Sequence, residues 1–164
     1  MIQTGKAVKE LAAADVMSRD LTLVPQEMSL QAAAHLLERA RVSGAPVVDE
    51  NGRCVGILST TDFVHFVGAL ESDYRWPPVR SSERICEWQL VNGNSLPKDA
   101  VRRYMTADPV TADPDTPIDA LARRMLDAHI HRIVVLDERG RPAGIVSSTD
   151  ILAAVAYADH ARGE

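Results

Sequence analysis

The chain has 164 residues, of which 46% are hydrophobic and 25% charged, with a formal net charge of −5. That balance suits a folded protein with one sizeable core or two small ones and excludes collagen-like and disordered chains. The acidic sign argues against a broad grip on nucleic acid or on an anionic membrane, while leaving room for a local basic pocket.

No apolar run approaches the ~20 residues needed to cross a bilayer. The opening stretch to Met17 lacks the continuous apolar segment of a secretory signal. Cys54 and Cys86 are the only cysteines, too few for a disulfide framework, so the expected setting is the cytoplasm.

In chain order, Lys6 to Met17 reads as a leading helix, followed by an extended piece at Leu21–Val24. Ser29 is placed to cap a helix running to Arg41, with Leu30, Ala33, Leu37 and Ala40 on one face. A strand over Ala45–Asp49 and another over Arg53–Ser59 flank a turn whose Gly52 tolerates positive φ. A second helix opens near Asp62. Residues 70–98 then form an inserted linker, rich in turn formers yet carrying Trp76 and Trp88. It reads either as a docked cover for apolar surface or as a flap over a ligand or a second subunit. Asp99–Tyr104 is expected to be a second leading helix, and Pro109–Ala112 an extended piece. A helix follows from Pro117, suited to a first turn, to Ala128, with Ile118, Leu121, Met125 and Ala128 inward. Strands at Ile133–Asp137 and Arg141–Ser147 flank Gly140, and a last helix opens near Asp150.

The second half repeats the first. A shift of 88 positions lays Met17 on Met105, Asp49 on Asp137, Gly52 on Gly140 and Gly56 on Gly144. It also lays Gly-Ile-Leu-Ser-Thr-Thr-Asp (56–62) on Gly-Ile-Val-Ser-Ser-Thr-Asp (144–150). This predicts a duplicated β-α-β-β-α unit of the α/β (α+β) class, packed about a pseudo-twofold axis. Residues 1–69 hold the leading helix and first repeat, 70–98 the insertion, and 99–164 the second repeat.

The repeated Ser-x-Thr-Asp end has two readings. A carboxylate can accept both hydroxyls of a ribose cis-diol, and the helix N-terminus behind it favours phosphate. The same residues before a helix are also ordinary N-caps. His129 and His131 could meet one metal, but no ligand set has zinc-like spacing. The sequence has no P-loop, dinucleotide fingerprint or nucleophile elbow, and no nucleophile stands at a base-like spacing. Met17 and Met105 read as packing residues.

With these motifs in view, the unit resembles a pair of cystathionine beta-synthase (CBS) domains, together called a Bateman module. The features that carry the resemblance are Met-Ser (17–18) and Met-Thr (105–106), Ser-Gly-Ala-Pro-Val-Val-Asp (43–49), His-Arg-Ile-Val-Val-Leu-Asp (131–137) and the two Gly-Ile-x-Ser-x-Thr-Asp ends. It covers about residues 10–69 and 99–160, and the second copy is similar to repeats of the gamma subunit of AMP-activated protein kinase. The resemblance implies a non-catalytic regulatory module that binds an adenine nucleotide in clefts between the paired repeats. In one cleft Asp150 would hold ribose, Ser147 and Thr149 face sugar or phosphate, and Ile145 lie near the base. Leu21, Val42 and Ser43 would line the adenine side, with His131 and Arg132 toward phosphate. In the other, Asp62, Ser59, Thr61 and Ile57 take these roles, with Pro109, Ile130 and His131. Where the second copy has His131-Arg132 the first has Ser43-Gly44, so the sites are expected to be unequal.

The function expected is a stand-alone sensor of AMP, ADP or ATP, less readily of NAD or S-adenosylmethionine. It would need no cofactor or metal and would signal to an unidentified effector protein or through a homodimer formed by the helices that follow Asp62 and Asp150, apolar at Phe63, Val64, Phe66, Val67, Ile151, Leu152 and Val155. The alternative is a ligand-free interaction or dimerisation scaffold in which the aspartates only cap helices.

Overall fold

Ser29 caps its helix as the sequence predicts: its Oγ accepts the Ala32 N–H at 3.2 Å and α2 (Leu30–Ala40) begins. The computed structural model describes residues 7–70 and 96–158; Lys6, Trp76, Trp88 and most of the predicted insertion lie outside these. Besides α2, the helices are α1 (Ala13–Val16), α3 (Thr60–Leu70), α4 (Ile118–Asp127) and α5 (Ser148–Ala158). The strands are β1 (Val24–Pro25), β2 (Gly44–Val48), β3 (Cys54–Ser59), β4 (Thr106–Ala107), β5 (Thr111–Ala112), β6 (Arg132–Leu136) and β7 (Pro142–Ser147). The class is mixed α/β, with one sheet ordered β1-β2-β3-β4 and another β5-β6-β7.

The chain divides into two compact units that cut across the sequence repeats. One contains residues 1–21, 51–54 and 108–164, and the other 22–50 and 55–107. The segment leading into the first repeat thus joins the second repeat's unit, and the reverse holds for residues before Ala107. Burial accounts for this. Leu11, Ala13, Val16 and Met17 sit in one core with Ile118, Leu121, Ile133, Val135 and Val146. Leu96 and Val101 sit in the other with Val24, Leu30, Leu37, Val47, Leu58 and Phe63.

The predicted leading helices are shorter than expected. Residues 8–10 form a 3-10 turn, and the chain is extended at Leu11 and Ala12 before α1. Ala12 pairs with Pro117, and the Ala13 and Ala14 N–H groups donate to Thr116 and Pro114 carbonyls, each at 2.8 Å. These tertiary bonds satisfy backbone groups that a continuous helix would have paired internally, so helix propensity is overridden. Its counterpart is only a 3-10 turn, Val101–Arg103. The extended pieces narrow to β1 and β5, each parallel to the strand that follows its helix, with Val24 opposite Val47 and Thr111 opposite Val134. Pro117 is the extended N-cap of α4 and not part of its first turn, and Ala40 and Ala128 are exposed. Strand β4, antiparallel to β3, is an element the periodicity did not predict.

Two turns behave as expected: Gly52 and Gly140 have φ of 77° and 73°. At Gly144 and Gly56 the need is for close approach. A Cβ on Gly144 would stand 2.3 Å from Met17 Sδ, and one on Gly56 2.5 Å from Met105 Sδ. Each leading-segment methionine therefore seats on a bare stretch of strand backbone within its own unit.

Candidate functional site

The Ser-x-Thr-Asp ends lie where β3 runs straight into α3 and β7 into α5. The helices open at Thr60 and Ser148, two residues earlier than expected. No loop intervenes because the first helical N–H is captured at once: Thr60 N donates to the Ser43 carbonyl and Ser148 N to the His131 carbonyl, both at 3.0 Å.

At the second-repeat junction, Asp150 Oδ2 accepts the Ser147 N–H at 2.7 Å and its hydroxyl at 2.6 Å, while Asp150 N–H donates back to Ser147 Oγ at 3.3 Å. This is a reciprocal capping arrangement. At the first-repeat junction, Asp62 Oδ2 accepts the same two donors of Ser59 at 2.7 and 2.9 Å. The capping role is therefore built in both copies. Oδ2 is engaged at each junction, so a further donor would have to meet Oδ1. The remaining oxygens differ. Asp62 Oδ1 accepts the Thr106 hydroxyl at 3.1 Å, whereas Asp150 Oδ1 has no hydrogen-bond partner among the described residues. Sequence reasoning missed Thr106 as a neighbour of Asp62. Its only signal was the hydroxyl shared by Met-Ser and Met-Thr, and the pairing is set by β4.

The unit built on the second repeat gathers Leu21, Pro109, Ile130, His131, Arg132, Ile145, Ser147, Thr149 and Asp150. Arg132 lies directly across the β6–β7 ladder from Ser147 and is half-buried. Thr149 and His131 are exposed, and Ile145 and Asp150 half-buried. The other unit holds Val42, Ser43, Ile57, Ser59, Thr61 and Asp62, with Thr61 exposed and the rest half-buried.

Val42 and Ile130 also have a structural task. Each donates its N–H to the carbonyl five residues earlier, Leu37 at 3.1 Å and Met125 at 3.0 Å, closing α2 and α4. The preceding residues, Arg41 and His129, have φ of 55° and 53°, so both helices end with a left-handed residue and an apolar one that folds back on the helix.

Helices α4 and α5 border a cavity of about 400 Å³ lined by Met125, Leu126, Ile151 and Leu152 with His129 and His131. Leu126 and Leu152 are 73% and 68% exposed. Among the described residues no group of three or more His, Cys, Asp or Glu could hold a metal ion, and no helix is long and apolar enough to cross a membrane.

Comparison with known proteins agrees with this architecture. An uncharacterized protein of Methanocaldococcus jannaschii is 29% identical over 86% of this chain and 89% of its own. A homoserine O-acetyltransferase of Methanococcoides burtonii is 30% identical over 84% of this chain, which spans only 23% of the enzyme. The gamma-3 subunit of 5′-AMP-activated protein kinase of Sus scrofa is 27% identical over 84% of this chain and 24% of the subunit. Among solved structures, the CBS domain pair of protein MJ0100 in complex with 5′-methylthioadenosine and S-adenosyl-L-methionine superposes with a TM-score of 0.68 at 24% identity, covering 89% of this chain and 96% of that one. CBSX2, from Arabidopsis thaliana, in complex with AMP gives 0.67 at 24% identity, covering 88% and 96%. The family model for the CBS domain matches twice, over residues 13–69 and 101–157, and the chain belongs to the CBS-domain family as a tandem pair.

Proposed function

We propose that the protein is a regulatory module whose ligand is an adenine nucleotide, AMP, ADP or ATP, bound through the ribose at Asp150. The observation that carries this reading is the open Oδ1 of a carboxylate fixed at a strand-to-helix junction. Asp150 would take the diol, Ser147 and Thr149 the sugar or phosphate, and Ile145 the base. Arg132, across the ladder from Ser147, would meet phosphate through its planar donor fork. Leu21, Val42 and Ser43 are proposed for the adenine side, and Ile57, Ser59, Thr61, Asp62, Pro109 and Ile130 for a second, weaker site. The relatives solved with AMP and with 5′-methylthioadenosine and S-adenosyl-L-methionine support an adenosine ligand. The module would act in the cytoplasm without catalysis of its own and pass its occupancy to an effector protein, as a homodimer joined through α5 and the exposed Leu126 of α4, with Phe63 of the expected α3 face buried and unable to take part.

A thermal-shift panel of AMP, ADP, ATP, NAD and S-adenosylmethionine tests this. A ligand at about 100 times its Kd should add about 2.7 kcal/mol, several degrees of melting temperature at this size. A flat response to all five would turn the assignment to the second reading, a ligand-free scaffold. That reading is favoured by one feature: both aspartates already cap their helices.

A further inference from the structure

We infer that Thr106 is a specificity-determining residue that occupies the Asp62 carboxylate, so that a cis-diol ligand enters at Asp150 first. The inference rests on the nucleotide reading above and sharpens it. A carboxylate offers about four acceptor positions, two on each oxygen, and a ribose cis-diol brings two donors. In Asp150 the Ser147 N–H and hydroxyl fill the positions on Oδ2, and Oδ1 keeps both of its own among the described residues. In Asp62 the two donors of Ser59 fill Oδ2 in the same way, and the Thr106 hydroxyl takes a position on Oδ1. Asp62 thus has room for one sugar hydroxyl, and a diol fits only when Thr106 releases it.

The Thr106 contact is anchored by backbone. Thr106 stands opposite Ile57, and Ala107 opposite Gly56, in the antiparallel β3–β4 pair. Met105 just before it is seated on Gly56. Ser18 is the corresponding residue of the other leading segment. It is held by the matching pair of backbone bonds, its N–H to Ile145 O at 2.9 Å and Ile145 N–H to its carbonyl at 3.0 Å. No bond joins its hydroxyl to Asp150. A β-branched threonine is restricted at χ1, whereas a serine hydroxyl has all three staggered positions to choose from. One methyl group therefore separates a carboxylate with a resident donor from one without.

The test is calorimetric titration of the full chain with AMP and with adenosine. The variants are Thr106→Val, which keeps the shape and removes the donor, Asp62→Ala, Asp150→Ala and the double variant Thr106→Val/Asp62→Ala. Wild type should bind first through Asp150, with that step lost in Asp150→Ala. Thr106→Val should tighten the weaker step about two- to tenfold, or reveal one where wild type shows none, as removal of one competing hydrogen bond implies. The gain should vanish in the double variant and be equal for AMP and adenosine, since it concerns the sugar. An unchanged or weakened second step in Thr106→Val, or a gain that survives Asp62→Ala, overturns the role of Thr106 while the nucleotide reading stands. Absence of binding by every variant overturns both.

Discussion

Asp150 and Arg132 are expected to read different parts of one ligand. The sugar is common to adenosine and its phosphates, so Asp150→Ala should weaken adenosine, AMP and ATP by similar factors, beginning at about tenfold for a loss of roughly 1.4 kcal/mol. It should also cost about 1 kcal/mol of stability as a lost cap, which a melting curve without ligand reads separately. Arg132→Ala should spare adenosine and weaken the phosphorylated forms, with the loss shrinking as salt rises. Equal weakening of adenosine and ATP would show that Arg132 holds the shape of the site instead. Asp137 belongs to a turn: its Oδ1 accepts the Arg139 and Arg141 N–H groups, both at 2.9 Å. The Arg141 N–H and then that of Arg139 hold its carboxyl below the usual carboxylate range. A depressed folded value means that this stabilisation is present above the unfolded pKa and is lost as pH falls through the folded one. Its midpoint, followed by NMR, should lie on the acid side of an ordinary aspartate, and Asp137→Asn should remove that part of the acid dependence. The Asp49–Asp137 match was visible in the repeat, but a role for it needed the turn geometry.

Contacts between elements make the repeated glycines intelligible. Gly144→Ala should destabilise by about 1–3 kcal/mol, the usual cost of overpacking, because Met17 reaches it with Cβ at 3.0 Å as well as with its thioether. Combining it with Met17→Ala should give less loss than the two singles summed, a coupling measurable by denaturant unfolding. The matching cycle at Gly56 and Met105 should show weaker rescue, since the Thr106 carbonyl oxygen, at 2.9 Å, remains in the way. Much at this scale was legible beforehand: the Ser29 cap, the turns at Gly52 and Gly140 and, apart from Ala40 and Ala128, the buried faces of α2 and α4 all follow from neighbours within a few residues. What was not legible depends on distant partners. Ala12 is extended because its neighbours bond across to the chain around Pro117, Ala13 N–H to the Thr116 carbonyl and Ile118 N–H to that of Leu11, and nothing in the Ala-rich local sequence announces that. Likewise Oδ1 of Asp62 meets Thr106 only because the two-residue β4, too short to carry a periodic signal, pairs with β3, while Ser18 at the matching place makes no such bond to Asp150 among the described residues.

At the scale of the whole molecule, the exposed apolar residues of α4 and α5 bear on self-association. Leu126→Glu and Leu152→Glu place charge where a second copy is proposed to cover apolar surface, so both should shift sedimentation equilibrium toward monomer and remove the dependence of the melting temperature on protein concentration. A monomeric wild type would remove the homodimer from the proposal and leave the ligand assignments intact. The membership of the two units has a consequence in time. Met17 leaves the ribosome before the whole second repeat, yet its seat on Gly144 and its core neighbours Ile133 and Val146 are made more than a hundred residues later. At roughly 5–20 residues per second, the first segment waits on the order of ten seconds for a surface that does not yet exist. The unit of residues 22–50 and 55–107 has all its parts well before then. That unit is thus able to fold while the segment ending at Met17, made before it, still waits for the strands that bury it.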